Sequence, residues 1–156
     1  MIKHIKCDIF ESGADVILHQ VNCQGVMGSG IAKQVREKFP EVYKKYKTMC
    51  DAYSEDRRLL LGMVQCVRID NDKLIVNLFA QENFGYNGQC YTDYNALKEC
   101  LQHVKNYPIF DGSTIAIPYL MGCHRGGGDW NVVYKMIEDL FGNSSDNILI
   151  CEYNGG

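Results

Sequence analysis

Residues 18–32 read LHQVNCQGVMGSGIA, where an apolar run meets a glycine-rich loop and then a helical pattern. The run from Asp15 to Val21 predicts a buried strand. Glycine lets backbone N–H groups come close to a ligand, and a helix that starts just behind adds unpaired donors and partial positive charge. The junction therefore predicts an anion site, most often one for phosphate, with a tight strand-to-helix turn as the plainer alternative. The glycines of the loop are Gly25, Gly28 and Gly30.

Chain length and charge limit the class of protein. The 156 residues predict one domain, 1–156, that is long enough to bury a sizeable core. The formal net charge of −3 argues against a general binder of nucleic-acid backbones, which is normally basic. A nucleotide remains compatible with this charge, because a loop of backbone amides needs no net positive charge to bind phosphate.

The apolar runs and the cysteines indicate where the protein works. No run approaches transmembrane length, and IKHIKCDIF after Met1 lacks the apolar core of a signal peptide. We therefore expect a soluble cytoplasmic protein that does not use a membrane. None of the eight cysteines shows C-x-x-C spacing, which argues against a zinc site, and reduced structural thiols are expected. The sequence predicts no metal and no cofactor.

Hydrophobic periodicity predicts strands that alternate with helices. Apolar strand patterns occupy segments 1–10, 14–21, 62–70, 73–81, 113–121 and 147–153. Helical spacing occurs over 29–39, from Pro40, after a Thr92 cap, and from Trp130 to a Gly142 cap. Asn71 and Asp72 predict a tight hairpin between two of the strands. The fold class expected is a three-layer α/β/α domain with a mixed central sheet.

A second glycine loop, GCHRGGGDW at residues 122–130, follows a predicted strand just as the first one does. In such sheets ligands bind at the carboxyl ends of the strands, so both loops can close on one ligand from opposite sides. Two opposed loops suit a pyrophosphate and outweigh the turn-only alternative. The chain has no G-x-x-x-x-G-K-[ST] motif, and Gly25, Gly28 and Gly30 give the reverse of the Rossmann spacing.

Two long segments resemble one known family. CDIFESGADVILHQVNCQGVMGSGIAKQVREKFP, residues 7–40, resembles the N-terminal half of a macrodomain, the module that binds ADP-ribose. IAIPYLMGCHRGGGDWNVVYKMIEDLF, residues 115–141, resembles its second phosphate loop and the helix that follows. The resemblance is closest to the branch of yeast-type ADP-ribose-1″-phosphate phosphatases and terminal ADP-ribose protein glycohydrolases, which share the His before the first loop and the G-x-G-I-A pattern. It implies the macrodomain fold and ADP-ribose binding.

The resemblance also implies a set of binding residues. Asp8, with the backbone of Ile9 beside it, is expected to accept a hydrogen bond from the adenine amino group, and Tyr153 to stack on adenine. The alternatives are a turn residue for Asp8 and a surface aromatic for Tyr153. One side of the diphosphate and distal ribose is expected to contact Gly28, Ser29, Gly30 and Ile31. The other side is expected to contact Gly122, Cys123, His124, Arg125, Gly126, Gly127 and Gly128.

Three side chains are candidates for catalysis. His19 could act as a general acid or base with a pKa near neutrality, or donate to a phosphate oxygen; a hydrogen-bonded core histidine is the alternative. Asn22 could hold the distal ribose hydroxyls, or instead satisfy the backbone of its own loop. Asp129 could activate water or a ribose hydroxyl, but by sequence it is first an N-cap for the following helix.

The chain departs from the family at the positions that matter for one reaction. Glycohydrolase members use a lysine to attack the sugar and an acidic residue in the second loop, where this chain has Gln81 and Gly126. Glutamine cannot form a Schiff base, so that covalent route is disfavoured. His124 and Arg125 replace a glycine and an apolar residue; Arg125 could pair with a phosphate and His124 could carry a proton. Taken separately, each is better explained as a solvated loop residue.

The sequence therefore predicts a macrodomain that binds ADP-ribose or a derivative and hydrolyses a derivative at the distal ribose. The leading reaction is removal of the 1″-phosphate from ADP-ribose 1″-phosphate. Hydrolysis of an acyl or ADP-ribosyl ester, with an ADP-ribosylated protein as a partner, is the enzymatic alternative. A reader that binds ADP-ribose without turnover is the rival from another class. A nucleic-acid-binding role is disfavoured, since no basic stripe with interleaved aromatics is present.

Overall fold

A computed structural model describes residues 1–153 of the chain. The strands are β1 (Ile2–Lys6), β2 (Val16–Asn22), β3 (Val64–Arg68), β4 (Leu74–Gln81), β5 (Thr114–Pro118) and β6 (Asn147–Glu152). The α-helices are α1 (Gly30–Lys38), α2 (Pro40–Ala52), α3 (Tyr94–Asn106) and α4 (Trp130–Phe141). The predicted alternation of strands and helices is confirmed. No helix within residues 1–153 is long and apolar enough to cross a membrane.

The described strands form one six-stranded sheet in the order β1-β6-β5-β2-β4-β3. Strand β3 runs antiparallel to β4, whereas β2 lies parallel to both β4 and β5, and β6 lies parallel to both β5 and β1. The β3–β4 hairpin turns through a short 3-10 helix at Asp70–Asp72, as the Asn-Asp pair predicted. The mixed sheet expected from the sequence is therefore confirmed.

Helices cover the sheet on both faces. On one face, Leu18 of β2 and Val76 of β4 belong to a buried cluster with Leu97 of α3 and Ile137 of α4. On the other face, a second cluster joins the alternate residues of the same strands to the inner sides of α1 and α2; it includes Ile17, Ile75, Phe79, Val35 and Tyr46. Because residues of a strand alternate between faces, β2 and β4 need apolar side chains almost throughout. The three-layer architecture is confirmed.

The structure corrects one of the predicted helix caps. Asp93, not Thr92, caps α3, because its side chain accepts a hydrogen bond from the Ala96 N–H at 3.0 Å. Thr92 instead donates its hydroxyl to the Gly122 carbonyl at 2.6 Å, which ties the start of α3 to the second glycine loop. Gly142 follows α4 at its C-cap, as predicted.

The topology places both glycine loops at one edge of the sheet. Strand β2 lies between β4 and β5, so the carboxyl ends of these three strands, at Asn22, Gln81 and Pro118, are neighbours. The first glycine loop leaves β2 and the second follows β5. Parallel strand ends of this kind are the usual location of a ligand site in an α/β sheet.

Candidate ligand-binding site

A cavity of about 270 Å³ opens at this edge of the sheet. Its floor is made by the ends of β2, β4 and β5, and the two glycine loops and the segment 84–86 form its walls. The two loops thus face one space, as the sequence predicted. The lining residues are His19, Gln20, Val21, Asn22, Val26, Gly28, Ser29, Gly30, Ile31, Ala32, Gln81, Phe84, Gly85, Tyr86, Pro118, Tyr119, Leu120, Met121, Gly122, His124, Arg125 and Gly126.

The start of α1 presents backbone donors to this cavity. Ser29 occupies the N-cap position, but in the described chain its side chain makes no capping hydrogen bond, and the first turn contains no acidic residue. Asp93 and Asp129, by contrast, cap α3 and α4 with their carboxylates. The first N–H groups of α1 are therefore left for a ligand, with the positive end of the helix dipole behind them.

Gly30 is the first residue of α1 and has a backbone φ of +57°. A side chain is strained in this left-handed region, whereas glycine adopts it readily. A Cβ built on Gly30 meets no atom of residues 1–153 within 4 Å, so the space beside it is open cavity. The glycine thus keeps the helix start accessible.

The second loop contributes only part of the predicted set. Gly122, His124, Arg125 and Gly126 line the cavity, but the other three predicted residues of this loop do not. Those three are Cys123, Gly127 and Gly128. The glycine run instead lets the loop pack against segment 89–92, because the Gly126 carbonyl accepts hydrogen bonds from the N–H groups of Tyr91 at 2.6 Å and Thr92 at 3.1 Å. A Cβ on Gly126 would also collide with the Gly122 carbonyl.

Asp129 lies outside the cavity lining and caps α4. Its Oδ1 accepts a hydrogen bond from the Asn131 N–H at 2.9 Å, and its own N–H donates to Tyr94 Oη at 2.9 Å. The N-cap alternative is therefore confirmed, and the geometry gives no support to the prediction that this carboxylate activates water in the cavity.

Asp129→Ala is expected to lower the free energy of unfolding by about 1 kcal/mol through loss of the cap, whereas Asp129→Asn, which still caps, should be close to wild type. Ligand affinity should be unchanged in both variants. Urea unfolding together with ligand titration measures both quantities. A folded Asp129→Asn protein that no longer binds the ligand would show that the carboxylate does more than cap α4.

Asn22 lines the cavity, but most of its hydrogen-bonding capacity serves its own loop. Its Oδ1 accepts from the Gln24 N–H at 2.9 Å and from Tyr46 Oη at 2.8 Å, and its Nδ2 donates to the Val26 carbonyl at 2.8 Å. Its oxygen is thus engaged twice within the protein, and contact of Asn22 with the distal ribose hydroxyls stays a prediction. One N–H of the amide remains for a ligand.

His19 is 2% exposed and lines the floor of the cavity. Burial lowers the pKa of the imidazole to about 4. A hydrogen bond with Asn77 raises the pKa, but by less than burial lowers it. The predicted near-neutral pKa is therefore wrong, and the imidazole is neutral at pH 7. A neutral, buried imidazole is a poor proton donor to a phosphate, which weakens the prediction that His19 is a general acid.

The residues predicted to contact adenine lie beside the cavity rather than in its lining. β1 and β6 are paired neighbours, so Asp8 and Tyr153, which follow their ends, come to the same edge of the sheet. Asp8 Oδ1 caps a 3-10 turn by accepting from the Phe10 N–H at 2.9 Å, which confirms the turn alternative for this oxygen. Ile9 is 3% exposed and belongs to the core, whereas Tyr153 is 59% exposed. Contact of these residues with adenine stays a prediction.

Sequence reasoning missed one wall of the cavity, formed by Phe84, Gly85 and Tyr86. The Arg125 guanidinium lies 4.5 Å from the Tyr86 ring centroid, a cation–π contact between this wall and the second loop. The Tyr86 hydroxyl would lie 3.9 Å from a Cβ on Gly28, so the same side chain also reaches the first loop. Tyr86 thus lies between the two glycine loops at the cavity. Aromatic residues within the glycine-containing segment 82–91 were the available signal.

Tyr86→Ala is expected to speed ligand dissociation about fivefold, since the contact with Arg125 is worth about 1 kcal/mol and helps to close the mouth. Tyr86→Phe is the matched control, because it keeps the ring under the guanidinium. Stopped-flow release of a bound fluorescent nucleotide measures the rate. Equal dissociation rates for wild type and Tyr86→Ala would rule out closure by this side chain.

The cavity carries few charged groups. Among the described residues that line it, Arg125 supplies a permanent positive charge, and no Asp, Glu or Lys is present. Residues 1–153 contain no group of three or more His, Cys, Asp and Glu side chains that could hold a metal ion. An anion in this cavity would therefore meet backbone donors and one guanidinium, without a competing carboxylate.

Solved structures share this architecture over nearly the whole chain. The macrodomain of Mycobacterium tuberculosis DarG superposes with a TM-score of 0.78 at 22% identity, covering 97% of each chain. A macrodomain protein from Streptomyces coelicolor gives a TM-score of 0.78 at 21% identity, covering 100% of both chains. The chain has the macrodomain fold. Thermosipho africanus DarTG, solved in complex with ADP-ribose, contains the same fold with a TM-score of 0.79 at 20% identity, over 97% of this chain and 41% of that one.

Sequence comparison finds two kinds of similar protein, although no protein-family model matches the chain. The DNA ADP-ribosyl glycohydrolase of Mycobacterium tuberculosis is 26% identical over 141 residues, which cover 90% of this chain and 39% of the relative. The ADP-ribose 1″-phosphate phosphatase of Scheffersomyces stipitis is 41% identical over 68 residues, covering 40% of this chain and 39% of the relative. The chain thus spans about two fifths of the length of these relatives. The predicted resemblance to macrodomains is confirmed.

Within the macrodomain fold, Gln81 and Gly126 both line the cavity. Gln81 Oε1 accepts a hydrogen bond from Gln20 Nε2 at 2.8 Å, and its Nε2 donates to the Asn83 carbonyl at 2.8 Å. The position where the resemblance implies a nucleophilic lysine therefore holds a neutral amide inside a hydrogen-bond network.

Proposed function

We propose that this macrodomain binds ADP-ribose, as the free nucleotide or as a group carried by a larger molecule. The observation that carries the proposal is the uncapped start of α1, where Ser29 and Gly30 leave backbone donors facing an open cavity. Arg125 faces the same cavity from the opposite loop, so a diphosphate between them would meet donors on both sides. A relative of the same fold, solved in complex with ADP-ribose, supports this choice of nucleotide.

A thermal shift experiment tests the proposal. ADP-ribose at a hundred times its dissociation constant should stabilise the protein by about 2.7 kcal/mol, which corresponds to a rise in Tm of roughly 5–10 °C for a domain of this size. Inorganic phosphate at the same concentration is the control, and it should shift Tm far less because it lacks the adenosine and the second phosphate. No shift at millimolar ADP-ribose would contradict the proposal.

Hydrolysis at the distal ribose is the second candidate function, with removal of the phosphate from ADP-ribose 1″-phosphate as the leading reaction. The similarity to the phosphatase of Scheffersomyces stipitis favours it, and His124 supplies an exposed imidazole at the cavity beside Arg125. In this reaction Arg125 would hold the terminal phosphate and His124 would carry the proton, because His19 is neutral and Asp129 lies outside the cavity lining.

Product release from a panel of ADP-ribose derivatives tests this second function. The panel contains ADP-ribose 1″-phosphate, O-acetyl-ADP-ribose, ADP-ribosylated protein and ADP-ribosylated DNA, the last because of the M. tuberculosis relative's name. Turnover of the 1″-phosphate should fall at least about tenfold in His124→Ala, with little change in affinity for ADP-ribose. Binding without turnover of any substrate would leave a reader and overturn the hydrolase proposal.

A further inference from the structure

The first glycine loop rests on helix α2, and the hydroxyl of Tyr46 makes the central contact. Tyr46 is 0% exposed, and its ring stacks on Phe79 of β4 with the ring centroids 5.8 Å apart. Its Oη lies 2.8 Å from both oxygens of Asn22, the backbone carbonyl and Oδ1, and 3.5 Å from the Val26 carbonyl oxygen. Because the packed core holds the ring in place, these oxygens of the loop face a donor with a fixed position.

The contact with Tyr46 also helps to close the loop on itself. Asn22 is the last residue of β2, and its Nδ2 donates to the Val26 carbonyl, four residues further on, at 2.8 Å. Since the Tyr46 hydroxyl engages Asn22 Oδ1, it fixes which way this amide faces and thereby supports the bond to Val26. The hydroxyl thus orients two peptide groups of the loop, one at Asn22 and one at Val26.

A carbonyl that is held in place also sets the direction of the next N–H group. In a trans peptide the C=O and N–H bonds point in opposite directions, and no cis peptide occurs in the described part of the chain. The Val26 carbonyl faces Tyr46, so the Met27 N–H points away from that side chain. The Gly25 carbonyl accepts from Tyr43 Oη of α2 at 3.2 Å, so the Val26 N–H also points away from this helix. Neither N–H donates to another backbone group of the described chain.

The N–H groups of Val26 and Met27 lie on the cavity side of the loop. Val26 and Gly28 line the cavity, whereas Tyr43 and Tyr46 do not, so the loop separates α2 from the cavity. N–H groups that point away from α2 therefore add to the donors at the start of α1, which faces the same space.

We propose that Tyr46 is a positioning residue for the ligand, because its hydroxyl orients the peptide groups of the first glycine loop whose N–H groups bind phosphate. The side chain acts only through the loop, since it is buried and does not line the cavity. Without the hydroxyl, the segment 22–26 would sample further orientations, and a ligand would have to order the segment when it binds, at a cost in affinity. This inference rests on the proposed function, within which the phosphates are those of ADP-ribose.

Calorimetric titration of Tyr46→Phe with ADP-ribose tests the positioning role, because this variant removes one oxygen atom and keeps the ring. The affinity should fall about five- to tenfold, as expected for the loss of a buried hydrogen bond that the bound state needs. Val42→Ala is the matched control: Val42 is an equally buried side chain of α2 in the same core cluster, and its truncation destabilises the core without removing a polar contact.

Urea unfolding of the same variants separates positioning from stability. Both substitutions should lower the unfolding midpoint, but Val42→Ala should keep the wild-type affinity for ADP-ribose. Wild-type affinity in Tyr46→Phe, or an equal loss of affinity in Val42→Ala, would overturn the inference while sparing the proposed function. Failure of the wild-type protein to bind ADP-ribose would overturn the proposed function itself.

NMR of the backbone amides tests the same inference in the wild-type protein, independently of how well any variant folds. Saturation with ADP-ribose should shift the amide proton resonances of Val26 and Met27 downfield, as expected for donors that gain a hydrogen bond. In ligand-free Tyr46→Phe both resonances should broaden, because the loop samples more orientations, whereas Val42→Ala should leave them sharp. Resonances of Val26 and Met27 that do not respond to bound ADP-ribose in the wild type would overturn the inference.

Discussion

Gly30→Val is expected to abolish ADP-ribose binding, with affinity lowered at least about a hundredfold, or ~2.7 kcal/mol. The β-branched side chain would project into the open space beside the first N–H groups of α1, where the diphosphate is proposed to bind. It would also resist the left-handed φ of +57° that glycine adopts there. Calorimetric titration with ADP-ribose measures the loss.

Gly112→Val is the matched control, since Gly112 also has a left-handed φ, of +75°, and open space beside it. It precedes β5, at the edge of the sheet opposite the cavity. Both variants should lose about 1–3 kcal/mol of stability from backbone strain, but only Gly30→Val should lose the ligand. A folded Gly30→Val protein with wild-type affinity would show that the first glycine loop is a turn and nothing more.

Acidification from pH 7 to pH 4 is expected to cost the wild-type protein about 3 kcal/mol of unfolding free energy through His19 alone. Its pKa is lowered from 6.5 to about 4 in the folded state, so the unfolded chain binds the extra proton over this interval. Stability contributed by the neutral imidazole is therefore present above pH 6.5 and lost as the pH falls toward 4. Urea unfolding at pH 7.0 and 4.5 measures most of the effect.

His19→Gln provides the control, because it removes the titrating group and keeps a polar side chain of similar length. Carboxylates titrate in the same interval in both proteins, so the informative quantity is the difference between the two pH dependences. The variant is expected to lose markedly less stability than wild type on acidification, whatever its stability at pH 7. If the stability of both proteins changed with pH in the same way, the pKa of His19 would not be lowered in the folded protein.

The layers of the fold could be predicted because hydrophobic periodicity is a local signal. The continuous apolar run of β2 required cover on both faces. In the structure Leu18 packs into the buried cluster on one face of the sheet and Ile17 into the cluster on the other. The helix start at Gly30 was equally visible, since a glycine loop followed at once by helical spacing leaves few alternatives. The structural features that depend on a few consecutive residues, such as strands and helix starts, were therefore predicted well.

The chemistry of the site was harder to predict, because it depends on contacts between distant segments. The pKa of His19 is set by burial and, in the opposite direction, by a hydrogen bond with Asn77, 58 residues away. Gly126 looked like a phosphate contact but also permits close packing against Thr92. The contact between Arg125 and Tyr86 joins two loops with no common periodicity. None of these pairings leaves a pattern in a single sequence.

The central claim is that one cavity binds both the diphosphate and the distal ribose of ADP-ribose between two glycine loops. Calorimetric titration of wild-type protein with ADP-ribose and with AMP tests it most directly, since AMP lacks the second phosphate and the distal ribose. ADP-ribose is predicted to bind at least about tenfold more tightly, because only it carries both a diphosphate for the start of α1 and a distal ribose for the same cavity. Equal affinities for ADP-ribose and AMP would contradict the claim.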